Sequence, residues 1–399
     1  MEHTGRSSTT PVPPATISNV WTLELACPLA TPLATSTTRF AESRALLVVV
    51  EDGDGGFGVG EVGTGHLGRA HLIIPALKAL IEGPLRALLV GRAVNINDLN
   101  HSLYNFVRLE SRGLIAAAIS GLDIAFWDLQ SKRYGRPLCE VLGGALKDVP
   151  VYATGGHYRQ SSARGHHELT AEMVGYVGRG FTAVKMKVGG ASAAHDGERV
   201  AAVRAALGPS VGIAVDASYA LMPRTALELV REIAPHRIDF LEAPVALQDT
   251  TGLAEVRERS VIPISGNEFA STAGAFHELI SRRCVDLVQP SLTMCGGITE
   301  ALKIVTLAAA QGLPVTLQST GSAVAVLASL HFAAASPCVV STELNQVHAK
   351  LFALLGEHPV VTNGAARPPS APGLGLVESL DTLRELAAAS RPASGEDLQ

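Results

Sequence analysis

Aromatic residues, charge and long apolar runs are all scarce in this chain of 399 residues. Aromatic residues make up 5% and charged residues 17%, and the net charge is −5 with no long basic run. These values argue against nucleic acid or an anionic membrane as the main partner. No apolar run reaches the roughly 18–20 residues that a membrane span needs, and residues 1–15 are polar and proline-rich, unlike a secretory signal. The composition therefore predicts a soluble cytoplasmic protein.

Cysteine is also scarce, whereas small apolar residues are abundant. The five cysteines are odd in number, scattered and without CxxC spacing, which predicts buried thiols in a reduced compartment. Apolar residues make up 47% of the chain. Abundant alanine, valine, leucine and glycine favour helices packed on parallel strands, that is, an α/β protein with a large core.

The first 150 residues predict a small α+β unit. Two β-rich runs, Ser18 to Ala26 and Ala45 to Glu51, are followed by a glycine-rich turn and a third strand, which is typical of an antiparallel meander. From about His71 to Tyr134 the apolar spacing becomes helical. The segment between the first two strands, residues 28–39, is polar and predicts a flexible loop.

After Pro150 short apolar strands alternate with amphipathic helices. A polar or ionisable residue lies near the end of each of eight strands, and these residues are 23 to 30 positions apart, about the length of a βα unit. They are His157, Lys187, Asp216, Glu242, Glu268, Ser291, Gln318 and Glu343. The pattern predicts a parallel (β/α)8 barrel with these residues at its active-site rim. We assign residues 1–15 to a disordered N-terminus, 16–149 to the α+β domain, 150–360 to the barrel, and 361–399 to a segment that returns to the first domain and ends in disorder.

Three consecutive strands end in a carboxylate, namely Asp216, Glu242 and Glu268. Three carboxylates at one barrel mouth repel each other unless a cation lies between them, and an all-oxygen set favours Mg²⁺ over zinc. A single acidic residue at a strand end is more often the cap of the next helix. Three in succession favour a metal site.

Lys185 and Lys187 lie two apart in the strand AVKMKVG, so both side chains point to the same face. Two ammonium groups side by side, next to a divalent cation, lower each other's pKa toward the range of a useful base. The alternative is a pair of solvated lysines on an edge strand. A central barrel strand with a crowded inward face favours the catalytic interpretation.

The ordered motifs VKMKVG, VDAS, LEAP, PISGNE and QPSLTMCGGITEA resemble the enolase superfamily, specifically its mandelate racemase-like subgroup. Upstream, GVGE and ISGLDIAFWDLQSK match its capping domain, and downstream GSAVAVLASLHFAAASP and PGLGL extend the resemblance over nearly the whole chain. The resemblance implies a modified (β/α)8 barrel with an N-terminal α+β capping domain, and a homo-oligomer. It also implies that residues 28–39 close over the active site and set specificity.

Site roles follow from the same resemblance. Asp216, Glu242 and Glu268 would hold Mg²⁺. Lys187 would be the base, and Lys185 would lie against the carboxylate of a small-molecule substrate. Glu343 would hydrogen-bond that carboxylate opposite the metal.

Two positions depart from the family pattern. The subgroup places an Asp after QP on the sixth strand and a His at the end of the seventh, and this dyad faces the lysine. Here the two positions are Ser291 and Gln318, which neither take nor deliver a proton near neutral pH. The lysine that the muconate-lactonizing subgroup has on the sixth strand is absent as well. Milder departures are Ser218, where Asn is common, and Asn267, where Gly is usual.

Two residues are candidates to replace the missing acid. His157 ends the first barrel strand, and Tyr219 lies three residues past the first predicted metal ligand. A lone histidine at a strand end is more often structural, and Tyr219 can equally pack on the next helix. The predicted substrate-binding residues are His157, Tyr219, Ser218, Ser291 and Gln318.

The chemistry predicted from these residues is removal of the α-proton of a carboxylate by Lys187, with Mg²⁺, to give an enediolate. Because the opposite dyad is missing, chemistry on one face is favoured, namely syn dehydration of a hydroxy acid or sugar acid. A racemase, epimerase or cycloisomerase that uses His157, Tyr219 or Lys185 as a second acid is one alternative. A catalytically inactive metal-binding homologue is another.

Overall fold

The computed structural model describes residues 15–64, 70–108, 111–159, 166–376 and 379–389. These residues build a three-stranded antiparallel sheet and a closed barrel of eight parallel strands. The predicted α/β fold, a (β/α)8-type barrel with an N-terminal α+β cap, is confirmed. Within the described ranges, no helix is long and apolar enough to cross a membrane.

The cap consists of the antiparallel sheet and helices packed on one of its faces. On the middle strand, Leu46, Val48 and Val50 pack with the cap helices, whereas Leu47 and Val49 face the core shared with the barrel. The cap elements are β1 (Ile17–Ala34), β2 (Arg39–Asp52), β3 (Phe57–Val62), α1 (Ala70–Leu80), a π-helical turn (Ile81–Leu85), α2 (Arg86–Leu89), α3 (Ile96–Phe106), α4 (Leu114–Arg133) and α5 (Leu138–Val141).

Glycine lets β3 lie directly on α4. A Cβ atom at Gly60 would be 1.9 Å from the backbone oxygen of Gly121, so the strand and the helix touch through their backbones. This close approach fixes the end of β3 at the rim of the barrel.

The predicted flexible loop at residues 28–39 is wrong, because this segment is mostly the end of a long β-hairpin. Strand β1 continues to Ala34 and β2 begins at Arg39, with an irregular register between Pro28 and Leu33. The hairpin tip is bound to the barrel. Ala34 and Tyr158 exchange two backbone hydrogen bonds of 2.9 Å, and the Ser36 hydroxyl donates to the carbonyl of Ala217 at 2.6 Å.

The barrel closes where β11 pairs with β4. Its strands are β4 (Val149–Gly155), β5 (Ala183–Lys187), β6 (Gly212–Asp216), β7 (Leu241–Glu242), β8 (Ile264–Gly266), β9 (Leu287–Val288), β10 (Val315–Leu317) and β11 (Val339–Asn345). Its helices are α6 (His167–Val177), α7 (Ala193–Leu207), α8 (Pro223–Ile233), α9 (Thr250–Arg259), α10 (Thr272–Ser281), α11 (Gly297–Ala310), α12 (Ala323–Ala335) and α13 (Ala349–Phe352), with 3₁₀ turns at Ala234–His236 and Gln346–His348. The eight predicted rim residues lie at, or within three residues of, the carboxyl ends of these strands.

The C-terminal segment runs from the barrel to the cap. Strand β12 (Ala365–Ala366) pairs antiparallel with β4, and the Leu374 amide then donates to the Asp128 carboxylate of α4 at 2.8 Å. Helix α14 (Leu380–Ala389) follows, and its Arg384 bonds Glu51 of the cap sheet. The ends predicted to be disordered lie outside the described residues, except that Ala15 is already buried.

A buried carboxylate joins the cap to the barrel. Glu61 of β3 accepts hydrogen bonds from the Ser322 amide and hydroxyl and from the Ala325 amide, at 2.6–3.2 Å. These donors form the N-terminus of α12, the end of a helix where a negative charge is stabilised.

Burial raises the pKa of Glu61 to about 7, so the carboxylate is ionised above that pH. At about pH 8, replacement of Glu61 by glutamine is expected to lower the free energy of unfolding by about 2–3 kcal/mol, because buried N–H groups lose a charged acceptor and meet an amide that also donates. Urea unfolding followed by fluorescence of Trp21 and Trp127 measures the change. The exposed Glu198→Gln variant is the control, with an expected change within about 0.5 kcal/mol. Equal effects of the two variants would contradict a joining role for Glu61.

Candidate active site

Both lysines of β5 point into the barrel mouth and are almost completely buried. Lys185 is 1% and Lys187 3% exposed, while Val184 and Met186, which alternate with them along the strand, pack outward against the helices. Lys187 bonds the Asp216 carboxylate, and Lys185 bonds that of Glu242. The alternation predicted for this strand is therefore the one in the structure. Lys187 has its acidic partner on the neighbouring strand β6, and Lys185 has one on β7, two strands away.

The three predicted metal ligands lie on consecutive strands at one level of the barrel. Strand register pairs Lys187 with Asp216 and Asp216 with Glu242, and Glu268 follows β8 by two residues. All three carboxylates are buried. Burial, followed by repulsion from Asp216, raises the pKa of Glu242 well above its usual value and that of Glu268 to about 7. Three acidic groups are thus close enough to oppose each other's ionisation.

Ion pairing between the lysines and the carboxylates lowers the pKa of Asp216 and raises that of Lys185. Burial alone would raise the pKa of Asp216, but Lys187 and Lys185 outweigh it and hold that pKa below its usual value. Burial would likewise lower the pKa of Lys185, but Glu242 and then Glu343, 3.4 Å away, raise it well above the usual lysine value. Among these side chains alone the carboxylates outweigh the second lysine, whereas the lowering of the pKa that we predict for two lysines beside a divalent cation stays a prediction.

A divalent cation suits this set of donors. In the ranges that the structure describes, no three acidic, histidine or cysteine side chains surround one point as a formed metal site. The carboxylates face internal partners instead, namely Lys187, Lys185 and the hydroxyl of Tyr219. Three mutually repelling carboxylates with only oxygen donors are what a hard cation such as Mg²⁺ prefers, so the residues fit that ion.

Ser218 and Tyr219, both predicted to bind substrate, orient carboxylates in the structure. The Ser218 amide and hydroxyl donate to Asp216 at 2.7 and 3.1 Å, and the Tyr219 hydroxyl donates to Glu268 at 2.5 Å. Their φ angles of 47° and 64°, and that of 63° at Asn267 before Glu268, are in the left-handed region. Such strained backbone is typical of functional sites and here holds the acidic side chains.

The wall opposite Lys187 is polar but not ionisable. Strands β9 and β10 are four and five positions from β5 around the barrel, and Ser291 and Gln318 form a bridge just beyond their ends. Both residues are buried. The Ser291 hydroxyl bonds Thr293 at 3.1 Å, and the Gln318 amide donates to Thr320 at 2.8 Å. These two side chains can hydrogen-bond a substrate, but neither can act as a general acid or base near neutral pH.

His157 lies beneath the cap hairpin. Its side chain is 8% exposed, and its ring meets that of Phe40 edge-on with 5.6 Å between centroids. The hairpin therefore covers the barrel mouth at the end of β4, next to the strand that carries Lys187.

Two buried polar residues of the mouth were missed from the sequence. Gln289 donates to Glu242 at 2.8 Å and accepts from Ser265 at 2.8 Å, so it orients a predicted metal ligand. The sequence signal for this role was a glutamine directly after an otherwise apolar strand and just before a proline. His348, after β11, bonds Ser43 of the cap at 2.9 Å, and burial and then Lys187 lower its pKa to about 4. A single histidine five residues beyond Glu343 gave no signal of this position.

The comparisons with known proteins agree with this geometry. Residues 17–143 match the family model of the mandelate racemase / muconate lactonizing enzyme N-terminal domain, and residues 168–381 match that of the enolase C-terminal domain-like family. This chain belongs to the enolase superfamily. The predicted membership, in its mandelate racemase-like branch, is confirmed.

Superfamily relatives include enzymes of several reactions. The chain is 33% identical to the arabinonate dehydratase of Saccharolobus solfataricus, over 82% of this chain and 86% of that one. It is 32% identical to the D-galactarolactone cycloisomerase of Agrobacterium fabrum, over 90% and 95%. A Streptomyces coelicolor racemase solved with bound magnesium superposes with a TM-score of 0.82 at 29% identity, covering 93% of this chain and 99% of that chain. The chain is accordingly an enzyme of the lyase or isomerase class.

Proposed function

We propose that this enzyme is a Mg²⁺-dependent dehydratase of a hydroxy acid or sugar acid. The observation that carries the proposal is the wall of Ser291 and Gln318 opposite Lys187, which has no group able to protonate the far face of an intermediate. Proton removal and water loss on one face need only Lys187. The names of the two relatives, which refer to an aldonate and to a sugar-acid lactone, support a small polyhydroxy carboxylate as the substrate.

Asp216, Glu242 and Glu268 would hold Mg²⁺, which supplies a Lewis acid that stabilises negative charge on the substrate carboxylate. Lys185, fixed between Glu242 and Glu343, adds positive charge beside that carboxylate. These groups lower the cost of placing a carbanion next to a carboxylate.

Lys187 performs the proton transfers. Once Asp216 turns away from it and Lys187 has released its own proton to water, the neutral Nζ accepts the proton from the α-carbon, and the C–H electron pair moves into an enediolate. The bond between the β-carbon and its hydroxyl then breaks, and the leaving oxygen takes the same proton from Lys187. The products are water and an enol, which tautomerises to a 2-oxo-3-deoxy acid.

The test is a panel of aldonates, aldarates and simple 2,3-dihydroxy acids incubated with the protein and Mg²⁺ in D₂O. We expect a 2-oxo acid, detected as its semicarbazone, with solvent deuterium at C3 and no inverted substrate in NMR spectra. Deuterium at the α-carbon with inversion and without loss of water would instead identify a racemase or epimerase and overturn dehydration.

A cycloisomerase is the second candidate, favoured by the extensive match to the galactarolactone enzyme. It would begin with the same proton removal by Lys187, but the leaving group would be the ring ester oxygen, so that no atoms are lost. The same assay with a sugar-acid lactone separates the two, because only the cycloisomerase yields a ring-opened product that has lost no water and differs from the lactone in mass only by deuterium taken from the solvent.

A further inference from the structure

A hydrogen-bonded network lies between the cap hairpin and β5. Tyr158, just after β4, is half-buried and is paired through its backbone with Ala34 of the hairpin. Its hydroxyl donates to the carboxylate oxygens of Asp196 at 2.7 and 2.9 Å, and accepts from the Gly190 amide at 2.9 Å. Asp196 is 0% exposed and also accepts from the Gly189 amide at 2.7 Å. The hairpin is thus bonded, through one tyrosine, to the turn that follows Lys187.

Arg199 continues the network to the lysine itself. Asp196 and Arg199 are three residues apart on α7, so their side chains meet, at 2.8 Å. The guanidinium donates to the carbonyl of Lys187 at 2.7 Å and to that of Gly156 at 3.0 Å, and stacks over the Tyr158 ring at 4.1 Å. Its planar fork therefore fixes the last residue of β5 relative to the end of β4.

The hairpin also bonds the segment that follows β6, the other strand next to β5. The Ser36 hydroxyl bonds the carbonyl of Ala217, directly after Asp216 on β6. The hairpin tip thus contacts the segments that follow β4 and β6, which flank the strand of Lys187. Docking of the tip orders both sides of that strand.

We propose that Tyr158, Asp196 and Arg199 are positioning residues that couple docking of the β1–β2 hairpin to the placement of Lys187. The proposal rests on the proposed role of Lys187 as the base. When the hairpin is docked over a substrate, the backbone of Lys187 is held in place by this network. When the hairpin is undocked, that backbone has fewer restraints. Small displacements of a base cost large factors in rate, so the coupling makes proton removal depend on closure.

The test is the Tyr158→Phe variant, which keeps the ring on Arg199 and the backbone pairing with Ala34 but loses the hydroxyl. We expect kcat to fall by about 10- to 100-fold with little change in KM. The deuterium isotope effect on kcat with α-deuterated substrate should rise toward its intrinsic value, because proton transfer becomes fully rate-limiting. A mere loss of folded protein would lower kcat and leave the isotope effect unchanged.

Tyr176→Phe is the matched control, since the Tyr176 hydroxyl also donates to a carboxylate, that of Glu172, at 2.6 Å. Glu172 accepts from the Gly156 amide, a bond that the variant keeps, and it bonds neither Lys187 nor the turn that follows it. Tyr176→Phe should keep the kcat and isotope effect of the parent. Arg199→Lys keeps the charge but loses the planar guanidinium with its several donors, so it should behave like Tyr158→Phe.

Amide hydrogen exchange provides a readout that needs no turnover. In Tyr158→Phe the Gly190 amide should exchange about five- to tenfold faster than in the parent, and in Tyr176→Phe at the parent rate. Unchanged exchange, or unchanged kcat and isotope effect in an active enzyme, would overturn the coupling while leaving Lys187 as the base. Failure of the proposed base would appear separately, as proton exchange that survives removal of the Lys187 amine.

Discussion

Lys187→Met is expected to slow α-proton exchange by about 10²- to 10⁴-fold, the range typical for loss of a general base. The Lys187 side chain is 3% exposed and lies at the end of β5 beside Asp216. Methionine keeps the apolar stem and removes the proton acceptor, so the mouth stays filled while the chemistry stops. Exchange is measured by NMR in D₂O with whichever acid the parent enzyme accepts, at saturating Mg²⁺.

The same substitution leaves the Asp216 carboxylate buried without its lysine. Removing one partner of a buried ion pair costs about 3–5 kcal/mol, so the melting temperature of the variant should fall. Mg²⁺ bound to Asp216 would offset part of that cost, and the deficit in melting temperature should therefore shrink when Mg²⁺ is added. This shift reports that the variant is folded and keeps its metal site.

Lys147→Met, at an exposed lysine, is the control and should exchange protons at the parent rate. If Lys187→Met retained full exchange while binding Mg²⁺, another base would be required. If neither the variant nor the parent exchanged the α-proton of any acid in the panel, the inactive-homologue alternative would stand.

The barrel and its rim were predictable because they depend on local order. A parallel strand, a helix and two turns need a nearly constant length, so the spacing of Lys187, Asp216 and Glu242 marks the ends of β5, β6 and β7. Alternation within a strand then places Lys185 and Lys187 on one face. The strand and helix patterns of the first 150 residues predicted an α+β unit, and the family motifs added that this unit caps the barrel.

Contacts between distant segments were not predictable in the same way. His348 bonds Ser43, 305 positions away, and the hairpin tip is held by residues after β4 and β6. A polar segment such as residues 28–39 resembles a loop until its partners are known. The direction in which the Lys185 pKa shifts depends on such contacts too, because it is set by how near Glu242 and Glu343 lie.

Removal of divalent cations is expected to abolish α-proton exchange, and Mg²⁺ to restore it. The carboxylates of Asp216, Glu242 and Glu268 lie on three consecutive strands in a buried mouth, where a cation is needed to offset both their repulsion and the charge that develops on the substrate. Treatment with EDTA followed by titration with Mg²⁺ tests this in the exchange assay. Exchange that persists after EDTA, with no detectable bound metal, would contradict a metal-dependent step.

The affinity for Mg²⁺ is expected to rise with pH up to about 7. Burial and repulsion from Asp216 raise the pKa of Glu268 to about 7, so below that pH a cation must displace its proton. One displaced proton weakens binding by about tenfold for each pH unit below 7. The raised pKa of Glu242 acts in the same direction. Calorimetry in two buffers of different ionisation enthalpy counts the released protons.

Tyr219→Phe makes this prediction specific to Glu268. The Tyr219 hydroxyl donates to Glu268 and lowers the pKa of that carboxyl, so its loss should raise that pKa further. The variant should bind Mg²⁺ more weakly than the parent at pH 7 and approach parent affinity at higher pH, whereas Tyr176→Phe should follow the parent throughout. An affinity that is independent of pH, with no proton released, would mean either that Glu268 is already ionised in the free protein or that it is not a ligand. A Glu268→Gln variant with the parent affinity for Mg²⁺ would establish the second. In that case the strained turn that carries Tyr219 would orient a carboxylate for the substrate rather than for the metal.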